Sequence, residues 1–105
     1  MRWLVAFLIA CTVVMAACSE SPDGKFGERL FGITCSGCHL DDLSGGFGPG
    51  IGPRSNAHLN LTDEQIRGVI SVGPGAMPPF GTVLDERQID SLVLYLRSVQ
   101  VGSGS

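Results

Sequence analysis

The apolar positions of this 105-residue chain fall into two kinds of pattern. Residues 4–14 form an unbroken apolar run with no charge and Thr12 as its one hydroxyl. Beyond residue 24 the apolar positions recur at helical spacing instead. Residues 25–35 place Phe26, Leu30 and Phe31 toward a core, with Gly27 one turn before Phe31, and so predict a first helix. Thr62, Asp63, Glu64 and Gln65 have capping-box spacing, and Leu61 can staple onto Ile66, so a second helix should start there. Ile66, Val69, Ile70 and Gly73 continue it until Gly73-Pro74-Gly75 stops it. Asp85 repeats the cap, with Leu84 and Ile89 as the staple pair, and Ile89, Leu92, Val93, Leu96 and Val99 form the inner face of a last helix ending near Gln100.

Between the first two helices, residues 40–60 carry Gly45-Gly46, Gly48-Pro49-Gly50 and Gly52-Pro53, a density that excludes regular helix and disfavours a central strand. No stretch alternates with a strand period. The predicted fold class is therefore all-α, with three main helices and long loops. Such a chain has a thin core, and a loop this long needs a bound group to wrap around.

The N-terminal run has the form of an export signal: Arg2 supplies the positive charge and the apolar stretch follows. As a helix, residues 4–17 would rise about 21 Å, short of the roughly 30 Å hydrocarbon core, which disfavours a permanent span. The exit Val14-Met15-Ala16-Ala17-Cys18 resembles a bacterial lipobox, with Met15 where leucine is usual. It implies cleavage after residue 17 and diacylation of Cys18. Ordinary signal cleavage is the alternative, and it would leave an unpaired thiol in an oxidising compartment. Cys11 leaves with the signal. Residues 18–24 are small and polar and read as a tether, residues 25–100 as the domain, and residues 101–105 as a flexible tail.

Removal of residues 1–17 takes Arg2 from seven Lys plus Arg set against ten Asp plus Glu, so the formal charge moves from -3 to -4. Lys25 is then the one lysine, and no basic cluster exists to neutralise a phosphate backbone, so nucleic acid is excluded as a partner. Lys25, Arg29, Arg67, Arg87 and Arg97 read as solvated charges.

Cys35-Ser36-Gly37-Cys38-His39 is a C-x-x-C-H haem-attachment signature. Two thiols one helical turn apart match the two vinyl groups of haem, and the adjacent imidazole reaches the iron as proximal ligand. A thioredoxin-like pair would need a βαβ context, and a zinc site a second C-x-x-C or further histidines; a structural disulfide is the remaining alternative. One covalent haem c also supplies the group that the loop must wrap. For the sixth position the candidates are His58 and Met77. Met77 is favoured because Pro78 and Pro79 restrict the chain just after its thioether, in a loop where a methionine is poorly placed as core filler.

On these motifs residues 24–100 resemble the class I monohaem cytochromes c of bacteria. Gly27, Phe31 and Cys35 are similar to the family's N-terminal helix positions, and Leu92 and Tyr95 to their partners on the C-terminal helix. The resemblance implies the cytochrome c fold, with Met77 as distal ligand. It also implies a proline carbonyl accepting a hydrogen bond from His39, with Pro53 as first choice and Pro49 as second. The tryptophan that many members place near a haem propionate is absent, since Trp3 lies in the signal. Arg54 is the candidate in its place, against the plain alternative of an exposed loop arginine. The implied function is that of a single-electron carrier rather than an enzyme, and a monomer; the signal and the lipobox at Cys18 make it exported, lipid-anchored to a membrane and facing the periplasm or cell exterior. Its partners would be redox proteins. The alternatives are an electron-transfer subunit of a dehydrogenase or oxidase complex, and a gas-binding or peroxidase-like haem protein with a labile sixth ligand.

Overall fold

The computed structural model describes residues 21–102. The signal-type segment, Cys18 and residues 103–105 lie outside them. Helix α1 spans Gly24–Thr34, α2 is the four-residue Ser36–His39, α3 is Asn56–Asn60, α4 is Asp63–Val72 and α5 is Glu86–Gly102, with a 3-10 turn at Phe80–Thr82. Among the described residues there is no strand, and no helix is long and apolar enough to cross a membrane.

The helix ends follow from their caps. The Asp23 carboxylate accepts from the Lys25 amide at 2.9 Å to start α1. At α4 the expected capping box is present: the Gln65 amide donates to Thr62 Oγ1 at 3.1 Å and the Thr62 amide to Gln65 Oε1 at 2.9 Å. Asp85 and Gln88 make the same reciprocal pair at 2.8 Å before α5. Each pair satisfies donors that a helix start leaves without intrahelical partners.

Two expectations need correction. Helix α5 runs to Gly102, so Val101 and Gly102, assigned to the tail, are helical. Residues 40–60 also contain a short helix, α3, because Ser55 caps it by accepting from the His58 amide at 3.2 Å, and local capping outweighs the surrounding glycines and prolines.

The central contact is the crossing of α1 over α5. A Cβ at Gly27 would stand 1.9 Å from the Ser91 carbonyl oxygen, so the two backbones meet at a distance only glycine permits. Phe31 packs on Tyr95 with ring centroids 5.4 Å apart and planes tilted by 55°, a favoured aromatic arrangement. Leu30, Phe31, Ile66, Ile70, Ile89, Leu92, Val93 and Leu96 form the core. Leu43 joins them at 1% exposure, carrying the middle of the long loop into the interior.

Candidate haem site

The motif helix α2 continues the chain of α1 after one break. The Cys35 amide still donates to the Phe31 carbonyl at 2.8 Å, and the Cys38 and His39 amides donate to the Cys35 carbonyl at 3.2 and 3.1 Å. This turn places Cys35 half-buried, Cys38 exposed and His39 buried. Leu40 ends it at φ 65°, a left-handed conformation that a leucine adopts only under local constraint. The following loop folds back on the helix end. Gly46 and Gly48 amides donate to the Cys38 carbonyl at 3.2 and 2.9 Å, and the Gly45 amide to the His39 carbonyl at 3.1 Å. Carbonyls left open at a helix C-terminus are thereby satisfied by the glycine-rich segment.

The fold-back fixes the imidazole. His39 Nδ1 lies 2.8 Å from the Pro49 carbonyl oxygen. A carbonyl only accepts, so Nδ1 carries the proton and Nε2 keeps its lone pair free to bind a metal. The family resemblance made Pro53 the first choice for this contact and Pro49 the second; it is the Pro49 carbonyl that faces the ring, because the bonds to Cys38 and His39 bring the loop over it before the chain reaches Pro53. Gly48 is a site residue that motif reasoning did not single out. A Cβ there would come within 2.9 Å of His39 Cε1 and 3.1 Å of Nδ1. The Gly-Pro spacing in this loop was the available signal.

Cys35, Cys38 and His39 line a cavity of about 430 Å3 together with Met77, Ile51, Ala57, Leu61, Ile66, Ile70, Phe80 and Leu96. Its walls are mainly apolar. Met77 is half-buried, in a loop whose turn closes with the Met77 amide donating to the Pro74 carbonyl at 3.2 Å. Burial pushes the Cys35 thiol up from its ordinary range, opposed by the Thr34 hydroxyl 3.3 Å from Sγ and reinforced by Cys38. Cys35 and Cys38 are not joined to each other, and among the described residues no three His, Cys, Asp or Glu side chains converge as a zinc site would need. The donor set fits a haem: two thiols at the cavity wall, one imidazole with its lone pair free, one thioether and an apolar lining.

The other candidates lie elsewhere. Arg54 is exposed, and neither it nor Pro53 nor His58 lines the cavity. His58 is half-buried, and its Nδ1 is buried without a hydrogen-bond partner. The arginines read as solvated divide. Arg67 pairs with Glu64 at 2.7 Å and with Asp90, Arg87 lies 5.8 Å over the Phe26 ring, and Arg97 bonds Asp63 and two backbone carbonyls.

The family described as cytochrome C oxidase, cbb3-type, subunit III matches residues 22–96. The chain belongs to this family of c-type cytochromes. The chain is 31% identical to cytochrome cL from Hyphomicrobium denitrificans in solved structure, with a TM-score of 0.66 over 72% of this chain and 46% of that one. It is 38% identical over 81 residues to a nicotinate dehydrogenase subunit of Pseudomonas putida, matching 68% of this chain but only 7% of that protein. It is 29% identical to cytochrome c6 of Gracilaria tenuistipitata var. liui over 91% of this chain and 93% of its relative. As a c-type cytochrome, the protein carries covalently bound haem c. Its all-helical fold is that of its relatives.

Proposed function

We propose that this cytochrome is a single-electron carrier whose haem is held by thioethers from Cys35 and Cys38 and ligated by His39 and Met77. The haem supplies a ferric/ferrous couple. The observation that carries the reading is the His39 Nδ1 to Pro49 carbonyl bond of 2.8 Å, which presents Nε2 as a ligand within a cavity that Met77 also lines. The carbonyl orients the ring and raises its basicity. Met77 as the second ligand would favour the ferrous state relative to a second imidazole, and with His39 and Met77 both holding the iron, small substrates would find no open site on it. Arg54, exposed beside this loop in sequence, is the candidate for a propionate contact. Cys18 is the proposed lipid-bearing residue, which would confine the carrier to a membrane outside the cytoplasm.

The test is the near-infrared sulfur-to-iron charge-transfer band of the ferric protein. It should be present in the unmodified protein and absent in Met77→Ala, and absence in both sinks Met77 ligation. Mass spectrometry of the membrane-extracted protein tests the anchor, which fails on an unmodified Cys18. A second reading is favoured by the dehydrogenase relative that matches only through 7% of its length: the same domain serving as the electron-accepting part of a larger complex. Co-purification of a flavin- or metal-containing dehydrogenase from solubilised native membranes supports that reading, and isolation as a lone monomer opposes it.

A further inference from the structure

The wall of the cavity formed by residues 51–61 packs on the core through Ile51 and Leu61 at its two ends, but its backbone carries few regular hydrogen bonds. Its one helix has five residues, too few to stand alone, and its other bonds are local: the Ser55 hydroxyl donates to the Gly52 carbonyl at 2.7 Å, and the His58 amide to the Ser55 carbonyl at 3.1 Å. The Ile51 amide donates to the Leu43 carbonyl at 2.9 Å, a tie to an earlier part of the same long loop. Yet Ile51, Ala57 and Leu61 all line the cavity.

Two side chains on one turn of α5 reach this wall from behind. Arg97 is 23% exposed, and its guanidinium donates from Nε to Asp63 Oδ1 at 2.7 Å, from Nη1 to the Ala57 carbonyl at 3.3 Å and to Gln100 Oε1 at 2.9 Å, and from Nη2 to the Leu61 carbonyl at 2.5 Å. Gln100, 2% exposed, accepts that bond and donates from Nε2 to the Ile51 carbonyl at 2.9 Å. The three carbonyls that this pair holds are those of Ile51, Ala57 and Leu61. Leu96, next to Arg97 on α5, lines the cavity itself.

We propose that Arg97 and Gln100 are positioning residues that clamp residues 51–61 shut against the haem, and thereby set the balance between its ferrous and ferric states. The proposal rests on the haem occupying this cavity. Ferric haem carries one more positive charge than ferrous, so water or mobile dipoles admitted through a loosened wall stabilise the ferric state, whereas a closed apolar wall favours the ferrous one. A planar guanidinium suits the task because its fork of donors serves several fixed acceptors at once, and a lysine ammonium cannot reproduce that geometry. Gln100 is neutral, so its removal opens the wall with no change of charge.

The experiment uses the haem-loaded full chain with Gln100→Leu, Arg97→Lys and Arg97→Met. The first readout is the ferrous-to-ferric ratio at the ambient potential that half-reduces the unmodified protein. The second is hydrogen exchange of the Ile51 amide. Gln100→Leu and Arg97→Lys are each expected to lower the ratio about tenfold, which is 59 mV for a one-electron couple, and to speed Ile51 exchange about tenfold with α1 amides unchanged. A ratio within twofold of the original in Gln100→Leu overturns the proposal. So does a shift seen in Arg97→Met alone, which would mark a charge acting through space. If the variants do not accumulate, the unmodified protein decides, since an Ile51 amide exchanging as fast as an exposed loop means that nothing holds the wall. Absence of covalent haem from the unmodified protein would instead defeat the functional reading, and a sixth ligand other than Met77 leaves the comparison intact.

Discussion

At the scale of single residues, the site depends on where backbone comes close to side chain. The His39 ring is confined on one side by the Pro49 carbonyl and on another by Gly48, whose α-carbon has no room for a methyl group. Gly48→Ala should therefore push the ring away, weaken the Nδ1 bond and destabilise the holoprotein by about 2 kcal/mol, within the range for overpacking a close contact. Urea unfolding of the ferric protein measures this, and a loss below about 0.5 kcal/mol would show that the loop simply moves aside. The choice between Pro49 and Pro53 was not legible from spacing, because both follow a glycine in the same loop. It depends on three amide bonds that fold residues 45–48 onto the end of α2.

At the scale of elements, the α1 and α5 crossing anchors the motif, since α1 runs directly into Cys35. Gly27→Ala would set a methyl group 1.9 Å from the Ser91 carbonyl oxygen, and the helices would have to separate. A loss of about 3 kcal/mol is expected, read as a lower denaturation midpoint with unchanged slope. An unaltered midpoint would mean that the crossing is looser than described. Tyr95 reports on the same contact. Burial pushes its phenol above 10.0, and the nearby charges of Glu28 and Asp41 act in the same direction. Because the folded pKa is raised, the stability this group contributes is fully present below pH 10.0 and is lost as pH rises through the folded value. Absorbance titration should therefore find the phenol ionising above pH 10.0 in the folded protein and at lower pH once it is unfolded, and coincident curves would contradict it. Periodicity and caps made these helices legible, whereas α3 escaped because a five-residue helix held by one serine has too few turns to show a period.

At the scale of the whole molecule, much of the apolar core is also cavity wall: Ile66, Ile70 and Leu96 belong to both. A small domain of this kind is marginal without the group that fills its cavity. A Cys35→Ala/Cys38→Ala double variant, produced without covalent haem, should lose its cooperative thermal transition and most of its helical circular dichroism. Retention of a sharp transition at the midpoint of the haem-loaded protein would show that the apoprotein core suffices.

What the sequence determined by itself was whatever is written in neighbouring residues. Helical faces, caps and the contiguous motif from Cys35 to His39 need only the local geometry of the chain, so the all-α class and the family resemblance could be read before any contact was known. What only the tertiary structure decided was where the loops run. That path selected Pro49 rather than Pro53 beside His39, carried Leu43 into the core, and turned Arg97 from a surface charge into a clamp on three carbonyl-bearing positions shared with Gln100. The reason is physical: a loop rich in glycine and proline has many local conformations, and long-range hydrogen bonds together with burial select one of them.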